Sequence, residues 1–126
     1  MGQAEAAERL ILEYRQDGNV AVVRATGEID ASTSGAFREG LLRVITDEPD
    51  RSLVVNLADV SFIDSTGTGV LVGVWHRVRS TAGSLALAAP SRQVRGILEV
   101  TGLAKAFSVY DTEAQAVQAC RQPAEG

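Results

Sequence analysis

The chain has 126 residues, 45% of them hydrophobic and 22% charged, which supplies one packed core and excludes both a disordered chain and two domains of ordinary size. Sixteen acidic against twelve basic residues leave a formal charge of −4, so the overall field draws the chain to neither nucleic acid nor anionic membrane. Cys120 is the sole cysteine, which excludes an internal disulfide and a multi-cysteine metal site and fits a reducing, cytoplasmic setting.

The opening "MGQAEAAERL" has neither the basic segment nor the apolar core of a signal peptide, and no apolar run approaches the length of a membrane span. Residues 1–9 and 121–126 read as flexible termini around a single domain spanning 10–120. "ILEYRQ" and "VAVVRATG", joined by Asp17-Gly18-Asn19, read as an antiparallel hairpin. After Gly27 the period changes: Ser32 or Thr33 caps a helix carrying Phe37, Leu41, Val44 and Ile45 at helical spacing, with Pro49 just beyond its end.

"SLVVNL" is a continuous apolar run, the pattern of a strand buried on both faces at the sheet centre. Val70, Leu71, Val74, Trp75 and Val78 then mark one stripe of a helix ending near Ala82-Gly83. "SLALAA" is a further strand closed by Pro90. Ser91 caps a helix with Val94, Ile97 and Leu98 on one face, and Gly102 is placed to stop it in a left-handed conformation. "AFSVY" is the last strand, and Thr112 and Gln115 have capping-box spacing before a final helix with Ala116, Val117 and Ala119. The order predicts an α/β domain: a mixed β-sheet with an N-terminal hairpin, a parallel part built from right-handed crossovers, and about four helices.

In such sheets ligands and partners meet the loops at the carboxyl ends of the strands, where "FIDSTGTG", residues 62–69, lies. An aspartic protease needs Asp, Ser or Thr, then Gly; here Thr66 intervenes, and the frame is not all-β. A dinucleotide cradle has the right element order, but Gly67, Gly69 and Gly73 depart from the G-x-G-x-x-G spacing and "APSRQ" offers no acid for a ribose. For nucleophilic catalysis by Ser65 or Thr66 the only histidine is His76, roughly 15 Å along a helix at about 1.5 Å per residue.

Two readings of the junction remain open on its local chemistry. In one, Ser65 is a helix cap, and the glycines allow close helix packing. In the other, Ser65 caps the helix and also accepts a phosphate, adding about −1.5 to −2 charges at the positive end of the helix dipole and changing the surface while the fold survives.

The run "LVVNLADVSFIDSTGTGVLVGV", with "GEID" at 27–30 upstream and "TGL" at 101–103 downstream, resembles the anti-sigma factor antagonists, members of the STAS domain family. The resemblance covers roughly residues 10–120 and implies a single STAS-like domain that works by partner switching in a bacterial cytoplasm, without enzymatic activity, catalytic residues, metal or cofactor of its own. It implies that the unphosphorylated protein binds an anti-sigma factor serine kinase and so frees a sigma factor for transcription. The kinase then phosphorylates the antagonist, which lets go, and a serine phosphatase resets it; direct contact with nucleic acid or membrane is not implied.

Position by position, Ser65 matches the family's phosphoacceptor, Asp30 an acidic residue near it, and Asp64, Thr66 and Gly67 the rest of the acceptor loop. The partner-binding set is then Asp30, Asp64, Ser65, Thr66, Gly67 and Thr68. Thr68 stands where the family usually carries a bulky aliphatic residue, a change expected to weaken apolar docking and alter partner choice. A second reading is a STAS module that is never phosphorylated and serves as an assembly or scaffold subunit of a transport or stress-signalling complex.

Overall fold

The hairpin turn needs a residue with positive φ, and Gly18 supplies it at +63°. Around it the computed structural model, which describes residues 9–47, 52–81 and 83–121, pairs β1 (Leu10–Asp17) with β2 (Val20–Ile29) in antiparallel register, Leu10 opposite Gly27. At Gly27 φ is +125° and an added Cβ would lie 1.9 Å from the Arg9 carbonyl oxygen, so only glycine lets the two strands meet there. The helix α1 (Ser34–Asp47) follows, burying Phe37, Leu41 and Ile45.

β3 (Ser52–Ile63) is twice as long as the apolar run that announces it. It pairs in parallel with β2 through two register shifts, at Arg24/Thr26 and Gly27/Glu28. These bulges let the strand carry exposed Ala58, Asp59, Ser61 and Phe62 and still return Val60 and Ile63 to the core, an outcome that a strict period of two does not reveal. α2 (Ser65–Arg79) buries Leu71, Val74 and Val78. β4 (Leu85–Ala88), α3 (Arg92–Val100), a single-turn α4 (Leu103–Ala106), β5 (Ser108–Tyr110) and α5 (Glu113–Arg121) complete the chain.

The sheet order is β1-β2-β3-β4-β5, parallel from β2 onward, with β3 at the centre. One face carries α1, α2 and α3 over a core that includes Ile29, Phe37, Leu41, Leu57, Ile63, Leu71 and Leu98. On the other face Ala116 and Val117 of α5 cover Val20, Val22, Val54, Ala86 and Ala88. This architecture, a mixed α/β sheet entered through a hairpin, is the one the sequence predicts, but with five helices among the described residues. The extra turn, α4, follows Gly102 (φ +79°), whose carbonyl accepts from the Lys105 amide at 3.2 Å, and it shortens the final strand to 108–110.

Local expectations are met at Ser91, whose hydroxyl accepts from the Val94 amide at 3.2 Å. They are met again at Thr112 and Gln115, which cap each other reciprocally at 3.1 and 3.3 Å. Gly69 and Gly73, read as possible close-packing positions, instead face open space. Arg9 and Arg121, placed by sequence in flexible ends, both form ion pairs, with Glu28 and Asp30 and with Asp17. The rest of both termini, Pro49 and Ala82 lie outside the described residues.

Candidate functional site

The side-by-side pairing of Ile29 with Ile63, both fully buried, aligns the carboxyl ends of β2 and β3. The Asp64 amide extends this pairing by donating to the Ile29 carbonyl at 3.1 Å. Each strand then ends in the same way. Asp30 Oδ1 accepts from the Ser32 and Thr33 amides at 2.9 and 3.2 Å and from the Ser32 hydroxyl at 2.8 Å. Asp64 Oδ1 accepts from the Thr66 and Gly67 amides at 2.9 and 3.2 Å and from the Thr66 hydroxyl at 2.5 Å. "IDAST" and "IDSTG" are twin Asx turns, and Ser65 occupies the place that Ala31 fills in the first.

The cap of α2 is therefore Asp64, with extended backbone, and not Ser65. A carboxylate is the stronger acceptor for the free amides at the positive helix end, so it takes the capping position and leaves Ser65 as the first helical residue. The hydroxyls of Ser32 and Thr33 do not cap α1 either. Ser32 donates to Asp30, while buried Thr33 accepts from the Asp30 amide at 2.9 Å and donates to the Glu28 carbonyl at 2.8 Å, stitching the turn back to β2.

Ser65 is exposed, and among the described residues its hydroxyl has no hydrogen-bond partner. Its neighbours are engaged: Thr66 holds Asp64, and Thr68 donates to the Ser65 carbonyl at 3.1 Å. Thr66 is exposed as well, but Gly67 is buried and Thr68 is only 5% exposed. Gly67 is the packing residue of the junction, because a Cβ there would lie 2.6 Å from Ile29 Cγ2 and 2.7 Å from Ile63 Cγ1. Of the six sequence-selected positions, Asp30, Asp64, Ser65 and Thr66 reach the surface, and Gly67 and Thr68 support it from beneath.

The junction is strongly anionic. The Ser32 hydroxyl, then its amide and Arg9, hold the Asp30 carboxyl down at about 2 against the opposing cost of desolvation. The Thr66 hydroxyl, then the Gly67 and Thr66 amides, hold Asp64 below the ordinary range, although the charge of Asp30 pushes the other way. Both are carboxylates at neutral pH, each within reach of the other's field. Asp30 has an extra partner: Arg9 donates to its Oδ2 at 2.5 Å, to Glu28 at 3.3 Å and to the Ser32 hydroxyl.

Arg9 escaped the sequence reading because it precedes Asp30 by a full hairpin, and only the register of β1 on β2 brings it there. The twin turns had a legible signal, Ile-Asp-x-Ser/Thr at the end of two successive strands. His76 is exposed and lies tilted against Trp75, with ring centroids 5.1 Å apart, far along α2 from Ser65. Among the described residues the junction thus combines an exposed, unengaged Ser65 hydroxyl with two fixed carboxylates, Asp30 and Asp64, and the one histidine lies away from it.

Comparison with known proteins gives a match to the STAS domain family over residues 12–116. The anti-sigma F factor antagonist of Paenibacillus polymyxa is 30% identical over 108 residues, covering 86% of this chain and 92% of its own. The anti-sigma-B factor antagonist of Bacillus subtilis (strain 168) is 36% identical over 92 residues, 73% and 83% of the two chains. The Bacillus cell fate determinant SpoIIAA, solved in its phosphorylated form, superposes with a TM-score of 0.68 at 24% identity, covering 87% of this chain and 99% of its own.

Proposed function

Since the chain belongs to the STAS domain family, we propose that it is an anti-sigma factor antagonist whose binding state is set by phosphate on Ser65. In this reading the unphosphorylated protein binds an anti-sigma factor serine kinase and frees a sigma factor. The kinase phosphorylates Ser65 and lets go, and a serine phosphatase restores the first state. The protein itself needs no cofactor and contacts neither DNA nor membrane; among the described residues no helix is long and apolar enough to cross one.

The observation that carries the proposal is the exposed, unengaged hydroxyl of Ser65, held at the first position of α2 by a cap that belongs to another residue. Because Asp64 satisfies the first amides, modification of Ser65 removes no hydrogen bond from the fold. The phosphate adds about −1.5 to −2 charges to a surface that already carries Asp30 and Asp64. A partner packed against the turn would have to desolvate that charge or face it unpaired, whereas the scaffold beneath, anchored by Ile29 and Ile63, has no reason to move.

Thr68 takes a different part from the one its polarity suggests. Buried and bonded to the Ser65 carbonyl, it fixes the acceptor backbone, and the contact surface is left to Asp30, Asp64, Ser65 and Thr66. The test is incubation with the small ATP-binding kinase encoded nearest this gene, followed by mass-spectrometric mapping. Phosphate is expected at Ser65 and at neither Thr66 nor Thr68; transfer that persists in Ser65→Ala would refute the assignment.

A further inference from the structure

The twin turns differ in one respect. In the first, the second carboxylate oxygen of Asp30 is taken by Arg9; in the second, Asp64 Oδ2 has no partner among the described residues. Arg9 is thus a basic residue at the carboxyl end of β2, paired with Glu28 and Asp30, with Asp64 at the end of the next strand. Its tie to Glu28 joins two exposed side chains, 44% and 52%, and is weak, while Asp30, 24% exposed, holds it through a single carboxylate oxygen. Asp30 and Asp64 follow register-paired residues on adjacent strands, so their backbones lie roughly 5 Å apart. Ser65 is the next residue.

We propose that Arg9 is the partner of the Ser65 phosphate: on phosphorylation its guanidinium turns from Asp30 and Glu28 to the phosphate oxygens by rotamer change, with β1 fixed in register. The inference rests on the reading of Ser65 as a phosphoacceptor and adds the residue that receives the new charge. Arginine binds phosphate through two parallel N–H···O bonds, a stronger arrangement than contacts with single carboxylate oxygens. The exchange also removes the one compensating charge from Asp30, so the acidic turn beside the phosphate becomes more repulsive to a partner than the phosphate alone would make it. Arg38, on the second turn of α1, is the alternative base.

The test places phosphoserine at position 65 during translation, which makes it independent of any kinase, and follows its second ionisation by phosphorus NMR. Pairing with Arg9 favours the dianion, so Arg9→Gln is expected to raise that pKa by about half a unit or more from the wild-type value. The rise should persist in the Asp30→Asn background, where Arg9 is released to the phosphate. No rise, a rise that vanishes in Asp30→Asn, or an equal rise in Arg38→Gln would each overturn the assignment. Failure of a kinase to modify Ser65 would instead count against the proposed function and leave this titration readable.

Discussion

Gly67→Ala and Gly69→Ala make the same chemical change two residues apart in α2, and the structure gives them opposite signs. The new methyl at 67 would stand 2.6 Å from Ile29 Cγ2 and 2.7 Å from Ile63 Cγ1, both fully buried. Those separations fall about 1 Å short of comfortable carbon–carbon contact. Overpacking of that kind costs about 1–3 kcal/mol, offset by at most about 1 kcal/mol of helix propensity, for a net loss of about 1–2 kcal/mol. At 69 nothing lies within 4 Å, so alanine should stabilise by about 0.5–1 kcal/mol. With a urea m-value of about 1–3 kcal/mol/M, the two midpoints should differ by roughly 0.5–3 M. Trp75 reports the transition, because its ring packs edge-on against Phe107 at 5.7 Å and under Arg79 at 4.8 Å. A Gly67→Ala midpoint equal to or above that of Gly69→Ala would refute the close approach of α2 to the strand ends.

Asp64→Ala should lower the melting temperature by several degrees through loss of the α2 cap, and Asp64→Asn should recover most of it; Ser65→Ala should leave it almost unchanged, and calorimetry on the three variants checks the order. Acid should weaken the junction in a defined window. Asp30 titrates at about 2 in the folded protein, below its unfolded value, so its contribution is complete above about pH 4 and is lost as the pH falls toward about 2. Urea midpoints between about pH 5 and 2 should fall less steeply in Asp30→Asn than in the wild type.

The sequence made the fold legible where one local rule decided the outcome: the Asp17-Gly18-Asn19 turn, the Ser91 cap, and the Thr112–Gln115 box. It was less legible where tertiary contacts decided. The length of β3 depends on bulges against β2, and the burial of Thr68 depends on which side of α2 faces Ile29 and Ile63. Ser65 was found for its position at a strand-to-helix junction, but its capping role was misassigned, because the sequence "DST" offers three acceptors and only the backbone geometry shows which one faces the amides. Arg9 carried no local signal at all.

Binding of the anti-sigma kinase to two forms of the protein, Ser65 free and Ser65 phosphorylated, tests the central claim most directly. Phosphorylation leaves the junction with more anionic groups than bases to pair them, and an unpaired charge in a packed contact costs about 3–5 kcal/mol, so titration calorimetry should show affinity falling by roughly 100-fold or more, while circular dichroism stays the same for both forms. Equal affinity for the two forms would contradict a switch at this hydroxyl.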